Sequence, residues 1–239
     1  MFRHNIFPYR SNPAPVVTYL KKINTLAVAM LFALMFIVKP VLTGETFRIS
    51  ANVFQRVETK YGKPAVQRLR AWEDLIRKNN RLPEHEKLKK VNQFFNARIE
   101  FVNDIDLYGK KDYWATPIEF ICRQAGDCED FAIAKYFTLK AMGVEEKKLN
   151  ITYVKALQYN IRHMVLTYYK KPGAEPLILD NLVDGISLAS RRTDLLPIFS
   201  FNGTGLWLAK QRGKGQLAGR SRRIKSWGDL LQRMSENQF

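Results

Sequence analysis

The sequence predicts an α+β fold in which N-terminal helices and one buried helix pack on an antiparallel sheet. Apolar residues recur at helical spacing through residues 51–98, and alternating β-rich segments begin at residue 151. Because helices come first and strands follow, the order differs from the strand–helix alternation that is typical of a parallel sheet.

Proline and glycine delimit the helices of the first half. Pro64 and Pro83 stand where first-turn prolines belong, and Gly143 is placed to end the last of these helices. Residues 102–115 are predicted to be a loop, in which the aromatic residues up to Trp114 anchor the core, line a cleft or form part of a receptor-binding surface. The predicted helices span residues 51–62, 64–79, 84–98, 116–122 and 128–142.

The second half has the alternation of an antiparallel meander. Residues 172 and 173, Pro-Gly, supply a turn between two of its strands. A last short helix is predicted over residues 226–234. The predicted strands span residues 151–157, 163–170, 176–182, 195–201 and 205–209.

Composition places the chain among globular proteins and excludes several classes. Hydrophobic residues make up 46% of its 239 residues, which is enough to build a core and more than a disordered chain has. Two cysteines cannot form a disulfide scaffold, and with three histidines they are too few for a multi-zinc protein.

The net charge of +17 is concentrated at the two ends of the chain. Residues 1–43 contain five basic residues and no acidic one, and residues 207–239 contain eight basic residues against two acidic ones. The middle of the chain is closer to balanced. The charge therefore does not by itself indicate nucleic-acid binding.

Residues 26–38 form an unbroken apolar run after two lysines. Thirteen residues suit the core of a secretory signal, whereas a membrane-spanning helix needs about 20. We therefore expect residues 1–43 to be a signal peptide or an uncleaved anchor, with a buried helix as a third alternative, and we expect the protein in the periplasm. Residues 44–209 are then the working domain, and residues 210–239 a basic, mobile tail.

Cys128 is the first candidate for chemistry. A Gly126-Asp127 turn delivers it to the start of a helix, where free N–H groups favour a thiolate. A nucleophilic cysteine needs a base and a group that orients the base, and His163 and Asp180 on successive strands can supply them. Each residue alone more often has a structural role: a cysteine buried in the core, a histidine whose ring is hydrogen-bonded, or an aspartate in a turn. The presence of all three in the order Cys, His, Asp favours catalysis.

Four motifs together resemble a known family. They are YWATP at 113–117, GDCEDFAIAKY at 126–136, RHMVL at 162–166 and LDN at 179–181. These motifs are similar to those of the bacterial transglutaminase-like cysteine peptidases, and most similar to LapG-type periplasmic adhesin-cleaving proteases. The match covers residues 45–200 and implies a papain-like or transglutaminase-like fold.

The resemblance also implies a function. Cys128 would be the nucleophile, His163 the general base and acid, and Asp180 the residue that orients the histidine. Family members cleave a large surface adhesin near its N-terminus, after a pair of alanines, and so release biofilm cells. An inner-membrane receptor for cyclic-di-GMP holds them inactive.

Asp127, Glu129 and Asp130 surround the cysteine with negative charge. Their ordinary role would be capping the helix and complementing its dipole. Three acids would, however, raise the pKa of the thiol, and a hard cation such as Ca²⁺ would remove that conflict. The resemblance agrees, because LapG-type proteases depend on calcium through acids that flank the cysteine.

Two other functions stay open at this stage. The same triad performs acyl transfer to an amine in transglutaminases. The charge of +12 that remains on residues 44–239 suits a non-catalytic binding module for nucleic acid, anionic lipid or an acidic partner, and an export signal disfavours nucleic acid among these. Cys122 is six residues from Cys128 and is predicted to be a buried core residue, although an oxidising compartment would allow the two to pair.

Overall fold

The computed structural model describes residues 47–208, 215–237 and 239, which belong to one compact unit, Thr46–Phe239. The predicted signal or anchor at residues 1–43 lies outside the described residues. In the described ranges, no helix combines the length and the apolar character that crossing a membrane requires.

The predicted helices are confirmed to within two residues at nearly every end. Ser50 caps the helix that begins at Ala51 by accepting a hydrogen bond from the backbone N–H of Val53. Thr116 caps the helix that begins at Pro117 by accepting one from the backbone N–H of Glu119. The helices are α1 (Ala51–Tyr61), α2 (Lys63–Asn79), α3 (Glu84–Asn96), α4 (Asp104–Tyr108), α5 (Pro117–Arg123), α6 (Cys128–Ala141) and α7 (Lys225–Ser235).

The strands form two sheets. A short parallel pair, β1 and β2, lies ahead of α6, and the other strands form one antiparallel sheet in the order β6-β5-β4-β3-β7-β8-β9. The strands are β1 (Glu100–Phe101), β2 (Ala125–Gly126), β3 (Leu149–Ala156), β4 (Ile161–Tyr168), β5 (Leu177–Leu179), β6 (Ser187–Leu188), β7 (Leu195–Phe201), β8 (Leu206–Leu208) and β9 (Gln216–Gly219).

The helices cover one face of the large sheet, and the main core lies between them. Alternate residues of the central strands, such as Ile151 and Leu166, point into this core, and both are fully buried. A smaller cluster occupies the opposite face. Its members are Val154, Ala156, Val165, Ile178 and Leu195.

The predicted loop at residues 102–115 contains a helix. Helix α4 ends at Gly109, whose φ of 64° is the left-handed conformation that glycine adopts without strain. Trp114 then enters the core, with 5% of its surface exposed, and stacks on Phe201 at 5.6 Å. Of the three roles left open for the loop aromatics, core anchoring is the one that Trp114 has.

The expectation of a mobile tail from residue 210 is wrong for the part of it that the structure describes. Strand β9 pairs with β8, and helix α7 buries Trp227 completely against the rings of Trp114, Phe137 and Phe201. The expectation rested on the basic residues of this segment. The segment also contains apolar residues at helical spacing, and their side chains complete the core. Residues 209–214 lie outside the described residues.

Candidate active site

Cys128 is the first residue of α6, as the glycine turn predicted. Strand β2 brings the chain to this point, and Gly126 is required there because a Cβ would lie 2.5 Å from Oδ2 of Asp130 and 2.7 Å from the ring of Phe120. Close packing under the turn thus positions the thiol at the positive end of a buried helix.

The Cys128 thiol lies in a negative environment. Its Sγ is 3.0 Å from Oε2 of Glu129 and donates a hydrogen bond to that carboxylate. Burial raises the pKa of the thiol well above its usual value, the charges of Glu129 and Asp127 raise it further, and a hydrogen bond to the backbone of Met164 acts in the opposite direction. In this arrangement the cysteine is held as a thiol.

His163 and Asp180 lie on neighbouring strands, as expected. Strand β4 carries His163, and Asp180 directly follows β5, which pairs antiparallel with β4. Nε2 of His163 lies 2.7 Å from Oδ1 of Asp180, and the two residues expose 2% and 1% of their surface. Since Nε2 faces the carboxylate, Nδ1 is the ring nitrogen left for a second partner.

Several groups hold the carboxylate of Asp180. Nη2 of Arg192 donates to Oδ2 at 2.7 Å, and the backbone N–H of Leu182 donates to Oδ1 at 3.0 Å. Burial would raise the pKa of Asp180, but the hydrogen bond and the charge of His163, together with the hydrogen bonds from the backbone of Leu182 and the side chain of Arg192, lower it to about 2. Asp180 is therefore ionised at neutral pH, so Nε2 of His163 carries the proton that is shared between them.

The backbone of Asp180 is held as well. Its carbonyl oxygen accepts hydrogen bonds from Nζ of Lys135 at 3.0 Å and from Nδ2 of Asn96 at 2.8 Å. Sequence reasoning missed Asn96, Lys135 and Arg192. No motif marks them, because they come from α3, α6 and a loop that only the folded chain brings to Asp180.

The acids around Cys128 are part of a larger cluster. Asp127, Glu129 and Asp130 were predicted, and the structure adds Asp104 from α4 and Asp112 from the loop that follows it. Three combinations place one ligand atom from each member within 4.8 Å of the others. These combinations are Asp104 with Asp127 and Asp130, Asp104 with Asp112 and Glu129, and Asp127 with Cys128 and Glu129.

The cluster fits a hard cation better than it fits helix capping. Asp127 holds the N-cap position without making a side-chain capping bond. Buried oxygens of Asp104, Asp127 and Asp130 have no hydrogen-bond partner among the described residues. Burial and neighbouring carboxylates raise the pKa of Asp104 to about 6 and that of Asp127 to about 10. Unpartnered carboxylate oxygens converging in a buried site are the donor set that Ca²⁺ prefers.

Cys122 has the structural environment predicted for it. It is 2% exposed on α5, and burial raises the pKa of its thiol to about 12. Both cysteines are free thiols in the structure. Cys122 is therefore an inert core residue, and the thiol that lies beside the acidic cluster is that of Cys128.

The hydrogen bonds of the described residues pair His163 with Asp180 and Cys128 with Glu129, and none joins Cys128 to His163. A thiol at a helix start, a histidine–aspartate pair and a cluster of carboxylates are nevertheless the groups that acyl transfer through a thioester uses. Comparison with known proteins supports such chemistry. The family described as bacterial transglutaminase-like cysteine proteinase matches residues 71–196. A comparison with curated proteins finds no match.

Solved structures give a closer likeness. LapG of Legionella pneumophila is 44% identical, with a TM-score of 0.68, and the alignment covers 78% of this chain and 98% of that one. The calcium-bound structure of the same Legionella protein is also 44% identical, with a TM-score of 0.67 and coverage of 78% and 99%. The predicted fold class is confirmed by these similarities.

Proposed function

This chain belongs to the bacterial transglutaminase-like cysteine proteinases, and we propose that its endopeptidase activity is carried by a triad of Cys128, His163 and Asp180. The observation that supports this most is the 2.7 Å contact between His163 and an ionised, buried Asp180. The contact leaves Nδ1 of the imidazole as a base on the strand that packs against the helix of Cys128.

The reaction proceeds in two halves. His163 accepts the proton of the Cys128 thiol at Nδ1, and the thiolate attacks the carbonyl carbon of the scissile peptide bond. The C–N bond breaks as His163 returns the proton to the leaving amine, and a thioester remains on Cys128. A water molecule then attacks the thioester, His163 takes its proton and returns it to the sulfur, and the C–S bond breaks to release the carboxylic acid product.

Asp180 keeps His163 in the tautomer that the first step needs. Because the carboxylate accepts from Nε2–H, the lone pair of the neutral ring stays on Nδ1, and the imidazolium formed during the reaction is stabilised. Arg192 orients Asp180 from the other oxygen. The backbone N–H of Cys128, at the start of α6, is the first donor of the oxyanion hole.

We propose that the acidic cluster holds Ca²⁺ through Asp127, Glu129 and Asp130, joined by Asp104 and Asp112. A bound calcium ion supplies positive charge that offsets the repulsion among these carboxylates and their effect on the neighbouring thiol. Support comes from the unpartnered oxygens of the cluster and from the calcium-bound structure of the Legionella protein.

The biological role is proposed from the motifs described above. The substrate would be a large surface adhesin, cleaved near its N-terminus after two alanines, which releases biofilm cells. The protease would act in the periplasm under an inner-membrane cyclic-di-GMP receptor. The apolar run at residues 26–38, a signal or an uncleaved inner-membrane anchor, supports export, and the basic tail would favour peripheral association with the membrane.

The test is cleavage in vitro of an adhesin N-terminal fragment that contains a di-alanine, with calcium and chelator arms and a labelled amine present. New termini that appear with calcium, vanish in chelator and are absent with Cys128→Ala support the proposal. Incorporation of the amine without cleavage indicates a transglutaminase instead. Binding of the fragment by Cys128→Ala with no reaction in the wild type indicates a binding module.

A further inference from the structure

The face of the large sheet that carries the helices is left uncovered beside Cys128, and a row of side chains crosses it there. In an antiparallel sheet, residues directly opposite each other lie on the same face. Met164 is opposite Tyr153, Tyr153 is opposite Phe199, and Phe199 is opposite Leu208. One apolar row thus runs across four strands.

This apolar row begins at the proposed nucleophile and becomes more exposed along its length. Met164, which packs in the same apolar cluster as Cys128 and lies on the strand that contacts α6, is 5% exposed, Tyr153 and Phe199 are half-buried, and Leu208 is 57% exposed. The rings of Tyr153 and Phe199 stack with centroids 4.9 Å apart and an angle of 10° between their planes. They form a flat apolar surface that continues outward from the cysteine.

The neighbouring rows mark the limits of this surface. On one side, Leu166, Ile151 and Phe201 are all 0% exposed beneath the helices. On the other side, Arg162 is opposite Lys155, and both side chains are exposed. A residue that lies on the apolar row therefore has the closed core to one side and two positive charges to the other.

We propose that Tyr153, Phe199 and Leu208, with Lys155 and Arg162, form a substrate shelf that binds an extended segment of the protein substrate carrying an aliphatic side chain and an acidic residue close to the scissile bond. The shelf spans three strand spacings, about 14 Å, which is the length of about four extended residues. The aliphatic side chain packs on the apolar row, and the acidic residue lies toward Lys155 and Arg162. This inference rests on the proposed function.

Two features of the shelf favour a substrate segment with an acidic residue: the positive charge beside the apolar row, and the continuity of that row with the active site. Lys155 and Arg162 attract an acidic side chain and disfavour a basic one. The same row includes Met164, which packs in one apolar cluster with Cys128, so a chain lying on the row leads toward Cys128. Burial raises the pKa of the Tyr153 hydroxyl, the charge of Arg162 lowers it, and the charges of Glu129 and Asp112 raise it, so the shelf lies close to both Arg162 and the acidic cluster.

The test uses the full chain with calcium and a library of synthetic peptides that all contain a di-alanine and are randomised on both sides of it, and mass spectrometry reads their cleavage sites. Wild-type protein should enrich an aliphatic and an acidic residue within about four positions on one side of the cleaved bond. The pair Lys155→Glu, Arg162→Glu should lower kcat/KM for acid-bearing peptides about tenfold or more. Tyr153→Ser and Leu208→Ser should each weaken the aliphatic preference about tenfold.

Matched controls separate the shelf from general effects. Lys170→Glu, Lys171→Glu makes the same charge change at two other exposed lysines, and Leu217→Ser alters an exposed leucine of β9. These controls should keep the wild-type preferences, and all variants should keep the alkylation rate of Cys128. If wild type cleaves peptides without preferring an aliphatic and an acidic residue, or if the shelf variants keep that preference, the substrate shelf is overturned and the proposed function is not. Absence of any cleavage by wild type overturns the proposed function and the shelf with it.

Discussion

Oδ1 of Asp180 lies 2.7 Å from Nε2 of His163, and both side chains are almost completely excluded from solvent. A buried carboxylate is unfavourable unless it is paired, and here it is paired twice, because Arg192 donates to the other oxygen. The same contacts lower the pKa of Asp180 to about 2. Because His163 is one of the two side chains that pair with this buried carboxylate, the same contact fixes the orientation of its ring.

Replacing Asp180 by asparagine should lower kcat/KM by about 10²–10⁴, because an amide does not stabilise the imidazolium of His163 and permits the other tautomer. Steady-state cleavage of the adhesin fragment measures this. Asp184→Asn, four residues further along the same loop, is the control and should stay near wild type. Equal activity of Asp180→Asn and wild type would remove Asp180 from the triad.

Replacing Asp104 by asparagine should weaken calcium binding about tenfold to a hundredfold, because the cluster loses a buried carboxylate oxygen that has no other partner. Calorimetric titration of the chelator-treated protein with CaCl₂ measures the affinity. Asp106→Asn, an exposed acid on the same short helix, is the matched control. If both variants bind calcium as wild type does, Asp104 is not a ligand.

Lys135 should make stability depend on pH. Burial lowers its pKa from 10.5 to about 7, while the charges of Asp180 and Asp184 act to raise it. Between these two pH values the side chain of Lys135 binds a proton in the unfolded chain but not in the folded one, so the contribution of this one group to the free energy of unfolding should rise with pH by a few kcal/mol across the window.

Urea unfolding of wild type and Lys135→Met across that pH window tests the prediction. The free energy of unfolding of wild type should rise with pH relative to that of the variant, which has no titrating group at this position. Parallel curves for the two proteins would mean that Lys135 keeps an ordinary pKa.

Cys122→Ala should leave kcat/KM unchanged, because Cys122 is a buried core residue with its pKa raised to about 12. Cys128→Ala should abolish turnover. Mass spectrometry after alkylation with iodoacetamide should find the label on Cys128 in the folded protein. Loss of activity in a folded Cys122→Ala protein, with activity kept in Cys128→Ala, would reverse the assignment.

Trp227→Ala should lower the free energy of unfolding by about 3–5 kcal/mol, because it removes a fully buried ring from the core. Asp229→Ala, an exposed residue of the same helix, should change it by less than about 0.5 kcal/mol. Chemical denaturation measures both. A small effect at Trp227 would restore the view that the C-terminal segment is a detachable tail.

Local patterns were sufficient to predict most of the elements and the main site residues. The periodicity of residues 51–98, the glycine turn before Cys128 and the alternation around His163 each act over a few neighbouring positions, so a sequence displays them directly. The same holds for Asp127, Glu129 and Asp130, which are adjacent to the cysteine in the chain.

The sequence alone determined the α+β order, the cysteine at a helix start and the acids beside it. Tertiary structure decided which distant residues complete the site: Arg192, Lys135 and Asn96 around Asp180, and Asp104 in the acidic cluster. It also decided that Trp227 belongs to the core and not to a tail. The physical reason is that a buried charge must pair with groups from other parts of the chain, and the core is completed by side chains from distant segments. Which segments these are depends on the packing of the whole fold, so no local sequence pattern indicates them.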